Sequence, residues 1–118
     1  MNTNTTYNRT SAETAARALL RAGLWDLALD VLEPGMTELR AQIATERFWW
    51  RQDGAAEADH AVALLAAEDP VLGGFYAGQL AYARVLFGLG PRPDDAERTR
   101  AGFEAALADR RVDSWAAF

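Results

Sequence analysis

The chain contains no cysteine and no lysine, one histidine (His60) and one isoleucine (Ile43). Without cysteine there is no disulfide, no thiolate metal site and no cysteine nucleophile. A single histidine cannot build a multi-histidine metal site. β-Branched residues are scarce: five Val and eight Thr join the one Ile, against 25 Ala. Strands draw on β-branched side chains and helices on Ala, Leu, Arg and Glu, so the composition argues against an all-β fold. Positive charge is also short. Twelve Arg face 17 acidic residues, a net charge of −5. That opposes nucleic-acid binding, which needs a basic face to displace counterions, and it opposes docking on an anionic membrane surface. The opening MNTNTTYNRT lacks the apolar segment of a secretory signal, so a cytoplasmic protein is expected. There is no G-x-S-x-G motif, and the glycine pairs lack the lysine and strand of a phosphate loop. Neither a catalytic group nor a cofactor or metal is expected.

What is present is 118 residues, half of them hydrophobic, enough for one domain. Residues 1–9 read as a disordered tail and 10–118 as a single helical domain. Thr10 and Glu13 form a capping box. A first helix follows to Ala22, with Ala15, Ala18, Leu19 and Ala22 on one stripe, and Gly23 ends it. A second runs from Trp25 to Leu32, placing Trp25, Ala28, Leu29 and Leu32 on one face before Pro34-Gly35. A third spans Met36 to Gln52, with Met36, Leu39, Ile43 and Trp50 in register. After the Asp53-Gly54 turn, a fourth runs from Ala55 to Glu68 on Ala58, Val62, Leu65 and Ala66. Asp69-Pro70 closes it. Residues 71–89 form a fifth, almost uniformly apolar helix. It carries Gln79, Arg84 and the pair Gly74 and Gly78, and is read as a buried central helix rather than a membrane span. The glycine pair predicts tight hairpin packing or a dimer seam. Asp94 or Asp95 caps a sixth helix running to Arg111, with Ala96, Thr99, Phe103, Ala106 and Leu107 inward. Asp113 then caps a one-turn stub, Ser114–Phe118, either a packed lid or the start of a longer solenoid.

Six helices on short loops make three antiparallel hairpins, short enough to stack as an α-solenoid. The segment from Ala15 to Leu32 resembles a tetratricopeptide repeat, carried by Ala16, Leu19, Gly23, Trp25, Ala28 and Leu32. A second copy is weaker: Trp49, Ala58, Val62 and Pro70 fit, while Gly54 is displaced by one place. A third keeps Phe103, Ala106 and Leu107 but has Thr99 where Ala is usual. The resemblance covers residues 10 to about 110. It implies a non-enzymatic module that takes a peptide or helix in a concave groove lined by the first helix of each hairpin.

Arginine placement is the main polar signal. Arg17 and Arg21 lie on the first helix, Arg40, Arg47 and Arg51 on one edge of the third, and Arg84 on the fifth. With Trp50 they are the candidate partner-binding residues, suited to an acidic peptide or a C-terminal carboxylate. The competing reading is that these arginines pair with carboxylates on solvated faces, as Glu13 can with Arg17. Phe48-Trp49-Trp50 points in three directions around a helix, so one ring must fill a second interface or face a groove. Two further readings stand beside the interaction module. One is a homodimer sealed through Phe75, Tyr76 and Phe103. The other is a small-molecule pocket lined by Trp49, Trp50, Tyr76 and Tyr82. His60 reads as a surface residue.

Overall fold

The computed structural model describes residues 3–109, with side chains from residue 11 onward. The helices are α1 (Thr3–Arg21), α2 (Trp25–Asp30), α3 (Thr37–Arg51), α4 (Ala55–Glu68), α5 (Pro70–Phe87) and α6 (Asp95–Ala108). No strand occurs among the described residues, and the fold is all-α. No described helix is long and apolar enough to cross a membrane.

The turn chemistry acts where the sequence places it. At the end of α1, Gly23 takes a left-handed conformation (φ 74°). Leu24 N–H then reaches back to the Leu19 carbonyl at 2.9 Å, and Gly23 N–H to Leu20 at 3.0 Å. This closes the last turn and satisfies two otherwise orphaned carbonyls. Asp69 both ends α4 and starts α5: its side chain accepts the Leu72 N–H at 3.2 Å, with Pro70 at the first helical position.

Several boundaries differ from expectation. α1 begins at Thr3, so the stretch 3–9, expected as tail, is helical and Thr10 lies inside the helix rather than capping it. Once the Ala-rich segment is helical, each added residue gains a bond without a new nucleation cost. α2 stops at Asp30, where Leu32 N–H turns to the Leu29 carbonyl, a tighter turn ahead of Pro34. α6 stops at Ala108. Arg110, Arg111 and the expected stub from Asp113 to Phe118 lie outside the described residues.

Each helix packs on the next in sequence, and α5 packs on α3 as well. Two hydrophobic clusters result. The smaller joins Ala16 of α1, Ala28 of α2, and Leu39 and Ile43 of α3. The larger joins Ala41, Ala44 and Phe48 of α3 to Ala58, Val62 and Leu65 of α4, Leu72 and Leu80 of α5, and Ala106 of α6. α3 therefore buries two faces. This resolves Phe48-Trp49-Trp50: Phe48 is buried, Trp49 is half-buried against the larger cluster, and Trp50 is 73% exposed.

Glycine sets how closely α5 approaches its neighbours. A Cβ on Gly73 would sit 2.4 Å from the Ala66 Cα of α4; one on Gly102 of α6 would sit 2.4 Å from the Gly74 carbonyl oxygen. Gly78 and Gly102 thus serve hairpin packing, a Cβ on Gly78 lying 3.2 Å from the Arg98 carbonyl oxygen, whereas Gly74 has open space where a Cβ would stand. The buried stripe of α6 is Asp95, Gly102 and Ala106, with Thr99 half-buried; Ala96 and Leu107, expected inside, are exposed. A helix lying this close turns its smallest residues, not its largest, toward the contact. On α1 likewise Ala16 is buried, with Leu19 and Leu20 partly so, while Ala15, Ala18 and Ala22 are exposed. With so many alanines, the stripe cannot be read from hydropathy alone.

Candidate functional site

Two cavities lie side by side on the face made by α1, α3 and α5. The first, about 470 Å³, is lined by Arg17, Leu20 and Arg21 of α1, Gly23, Trp25 of α2, and Gln42, Glu46 and Trp50 of α3. The second, about 640 Å³, is lined by Glu46, Trp49 and Trp50 of α3, Gln52, and Gln79 and Phe87 of α5. Glu46 and Trp50 belong to both, so the two cavities adjoin along these residues. Gln42, Glu46 and Trp50 are spaced four apart, which puts them on a single stripe of α3.

The walls are held in place from behind. Trp49 donates its indole N–H to the Gln79 carbonyl at 3.2 Å. Its ring meets Tyr82 and Phe87 edge-on, with centroids 5.7 and 5.4 Å apart. Two aromatic contacts and a hydrogen bond fix the ring as a rigid wall. Gln52 ends α3 in a left-handed conformation (φ 59°), its N–H bonded to the Phe48 carbonyl at 2.8 Å. Among the described residues Trp50 has no such contact, and it lines both cavities.

The electrostatics differ from one cavity to the other. On the first, Arg17 reaches Glu13 at 3.2 Å across an exposed i, i+4 pair. Arg21 is exposed and makes no ion pair among the described residues. Between the cavities, Glu46 is half-buried. Burial pushes its carboxyl above the usual carboxylate range, with a hydrogen bond to Gln42 pulling the other way. It has no cationic partner among the described residues. The buried Tyr76 hydroxyl is also pushed up, first by burial and then by Glu38 and Glu46.

Of the seven candidate contact residues, the structure brings three together: Arg17, Arg21 and Trp50. The other four are elsewhere. Arg47 is 6% exposed and bonds Asp26 of α2 at 2.9 Å and Glu57 of α4 at 2.7 Å. Arg51 bonds the other oxygen of Asp26 at 2.8 Å and Asp53 at 2.9 Å. These two tie three helices together and are not offered to a ligand. Arg84 is 6% exposed and grips the fully buried Asp95 through two hydrogen bonds, at 2.6 and 3.1 Å. Asp95 also accepts the Arg92 N–H at 2.7 Å. Asp95 therefore turns inward and Asp94 pairs with Arg98 at 2.6 Å, so neither side chain caps α6 as expected. Arg40 is half-buried, lines neither cavity and makes no ion pair among the described residues.

No known protein family, curated protein or solved structure matches the chain. The chemistry of the groove must therefore be taken from its own residues.

Two other expectations are corrected. Phe75 and Tyr76 are buried, and Phe75 stacks edge-on with Phe103 at 5.5 Å, so these rings close the hairpin instead of presenting a dimer face. Of the four aromatics expected around one pocket, Trp49 and Trp50 line the second cavity; Tyr76 is buried and Tyr82 backs Trp49. His60 is exposed. Among the described residues no group of three or more metal-ligating side chains comes together. Glu46, Gln42, Gln79 and Phe87 were not candidates from sequence. The i, i+4 stripe ending on Trp50 was the available signal, overshadowed by the arginines.

Proposed function

We propose that this domain is a non-catalytic docking module that holds a segment of a partner protein along the α1–α3–α5 face. The observation that carries this reading is the junction of two cavities at Glu46 and the exposed Trp50. Exposed tryptophans beside a groove are frequent anchors of binding energy. The resemblance to tetratricopeptide repeats supports the same use of the first helix of each hairpin. Arg21, with Arg17 beside it, supports a carboxylate of the partner at the first cavity.

The test is selection of peptides from a displayed random library on the folded domain, followed by nuclear magnetic resonance titration of the selected sequences. Selected peptides are expected to shift signals of Arg17, Arg21, Gln42 and Trp50, and to lose affinity for Trp50→Ala. Peptides that bind but map to α4 or α6 would overturn the reading, as would a full screen with no enrichment.

A second reading, self-association, is favoured by three exposed apolar residues near the end of α5: Tyr82, Val85 and Leu86, at 45–53% exposure. Sedimentation decides it. A monomer at high micromolar concentration removes it, and a dimer broken by Leu86→Glu sustains it.

A further inference from the structure

We propose that the second cavity is a subsite for one basic side chain, lysine or arginine, of the docked segment. The inference rests on the docking reading above and names what that half of the groove accepts.

Three aromatic side chains, Trp49, Trp50 and Phe87, provide its walls. An aromatic face carries a negative quadrupole and attracts a cation within about 6 Å, tryptophan most strongly. The polar lining consists of Glu46, Gln52 and Gln79, one carboxylate and two amides able to accept from an ammonium or guanidinium. Among the described residues no arginine lines this cavity to offer an anionic ligand a counter-charge.

Glu46 is the deciding residue. Half-buried Glu33 makes no ion pair among the described residues, but two other carboxylates meet arginine: Asp59 meets Arg84 and Arg92, and Asp95 meets Arg84. Glu46 is half-buried too, yet only the Gln42 amide answers it among the described residues. A carboxylate drawn out of water without a cation is unfavourable, and a cation from outside would relieve it. The long stems of lysine and arginine also suit the apolar walls, which would cover the methylenes while the charged end reaches Glu46. The two cavities share Glu46 and Trp50, so a basic residue here sits next to an acidic group at Arg17 and Arg21. The preferred segment thus places opposite charges close together.

The experiment is a titration of the isotope-labelled domain, following the indole N–H signals of Trp49 and Trp50 and the side-chain N–H signals of Arg17 and Arg21. The probes are the Nα-acetyl N-methylamides of lysine, norleucine and glutamate. The lysine probe is expected to shift both indoles saturably, about three- to tenfold more tightly than the neutral norleucine probe. Glu46→Gln should erase that difference, and Trp50→Ala, exposed and not needed for packing, should weaken both probes. Equal binding of lysine and norleucine, or an undiminished preference in Glu46→Gln, overturns the subsite. If only the glutamate probe binds, at Arg17 and Arg21, the subsite is wrong while the docking groove stands. If no probe moves any of these signals, both are wrong.

Discussion

Arg84 and Asp95 close on each other inside the α5–α6 hairpin, guanidinium to carboxylate, with Nη2–Oδ1 at 2.6 Å and Nε–Oδ2 at 3.1 Å. Asp95 has no exposed surface and Arg84 only 6%. Removing one member leaves a buried charge unanswered, so Asp95→Ala should cost about 3–5 kcal/mol in urea unfolding. The Arg84 hydrogen bonds hold the Asp95 carboxyl below its ordinary value, against the opposing effect of burial. An acid lowered in the folded state favours folding at pH values above its unfolded pKa, about 4, and that contribution is lost as the pH falls further. The stability gap between the native chain and Asp95→Asn should therefore narrow below about pH 4.

The glycines of α5 and α6 should separate sharply by position. Gly102→Ala forces a methyl against the Gly74 carbonyl, and Gly73→Ala forces one against the Ala66 backbone. Neither obstacle is a flexible side-chain end, so each should lose about 1–3 kcal/mol or more. At Gly74 itself a Cβ meets nothing within 4 Å. Gly74→Ala should then gain about 0.5–1 kcal/mol from helix propensity. Thermal unfolding of the three variants side by side checks the ordering.

Arg47 and Arg51 share Asp26, yet they should not respond alike. Arg47 is buried and also bonds Glu57, whereas Arg51 is exposed at both of its contacts. Arg47→Ala should cost about 1.5–3 kcal/mol, the scale for losing hydrogen bonds between charged groups. Arg51→Ala should be much milder, because exposed pairs are weakened by solvent. Arg47→Glu would add repulsion with Asp26 and Glu57. Circular dichroism melts should show it unfolding well before Arg51→Glu.

Glu46 carries the opposite sign from Asp95. Burial raises its carboxyl, so the folded state prefers the protonated form and is penalised once the group ionises. Glu46→Gln should raise the melting temperature at pH 7, with the advantage disappearing below the unfolded glutamate value of about 4.5. A variant that melts lower at pH 7 would contradict this assignment.

The helices were legible in the sequence because their punctuation is chemical and local. Gly23, Gly54, Asp69-Pro70 and Gly88 each act within a few residues, and α4 has the predicted bounds. The arginine partners were not legible, because they depend on which helix comes alongside. Asp26 is 21 residues from Arg47 and Asp95 is 11 from Arg84. Sequence period places an arginine on an edge of its helix. It does not show whether a carboxylate from another helix meets it there. The same limit hid the second cavity, whose walls come from Trp49, Gln79 and Phe87 on two helices. Three consecutive aromatics cannot share one face, but that constraint does not say which ring turns outward: helical period places Trp50 with Leu39 and Ile43, and it is Trp50 that is exposed.

Among the described residues α3 is the one helix common to both hydrophobic clusters, which divides the packing into two unequal parts. The α1–α2 hairpin is fastened by the small cluster and by the Asp26 links to Arg47 and Arg51. α3 to α6 share the larger cluster and the glycine contacts. The first hairpin should therefore open on its own, at a lower free energy than global unfolding. One wall of the first cavity belongs to α1, so a segment bound across α1 and α3 would stitch the weaker unit to the stronger. Its arrival would register as slower amide exchange at Ala28 and Leu29, which line neither cavity.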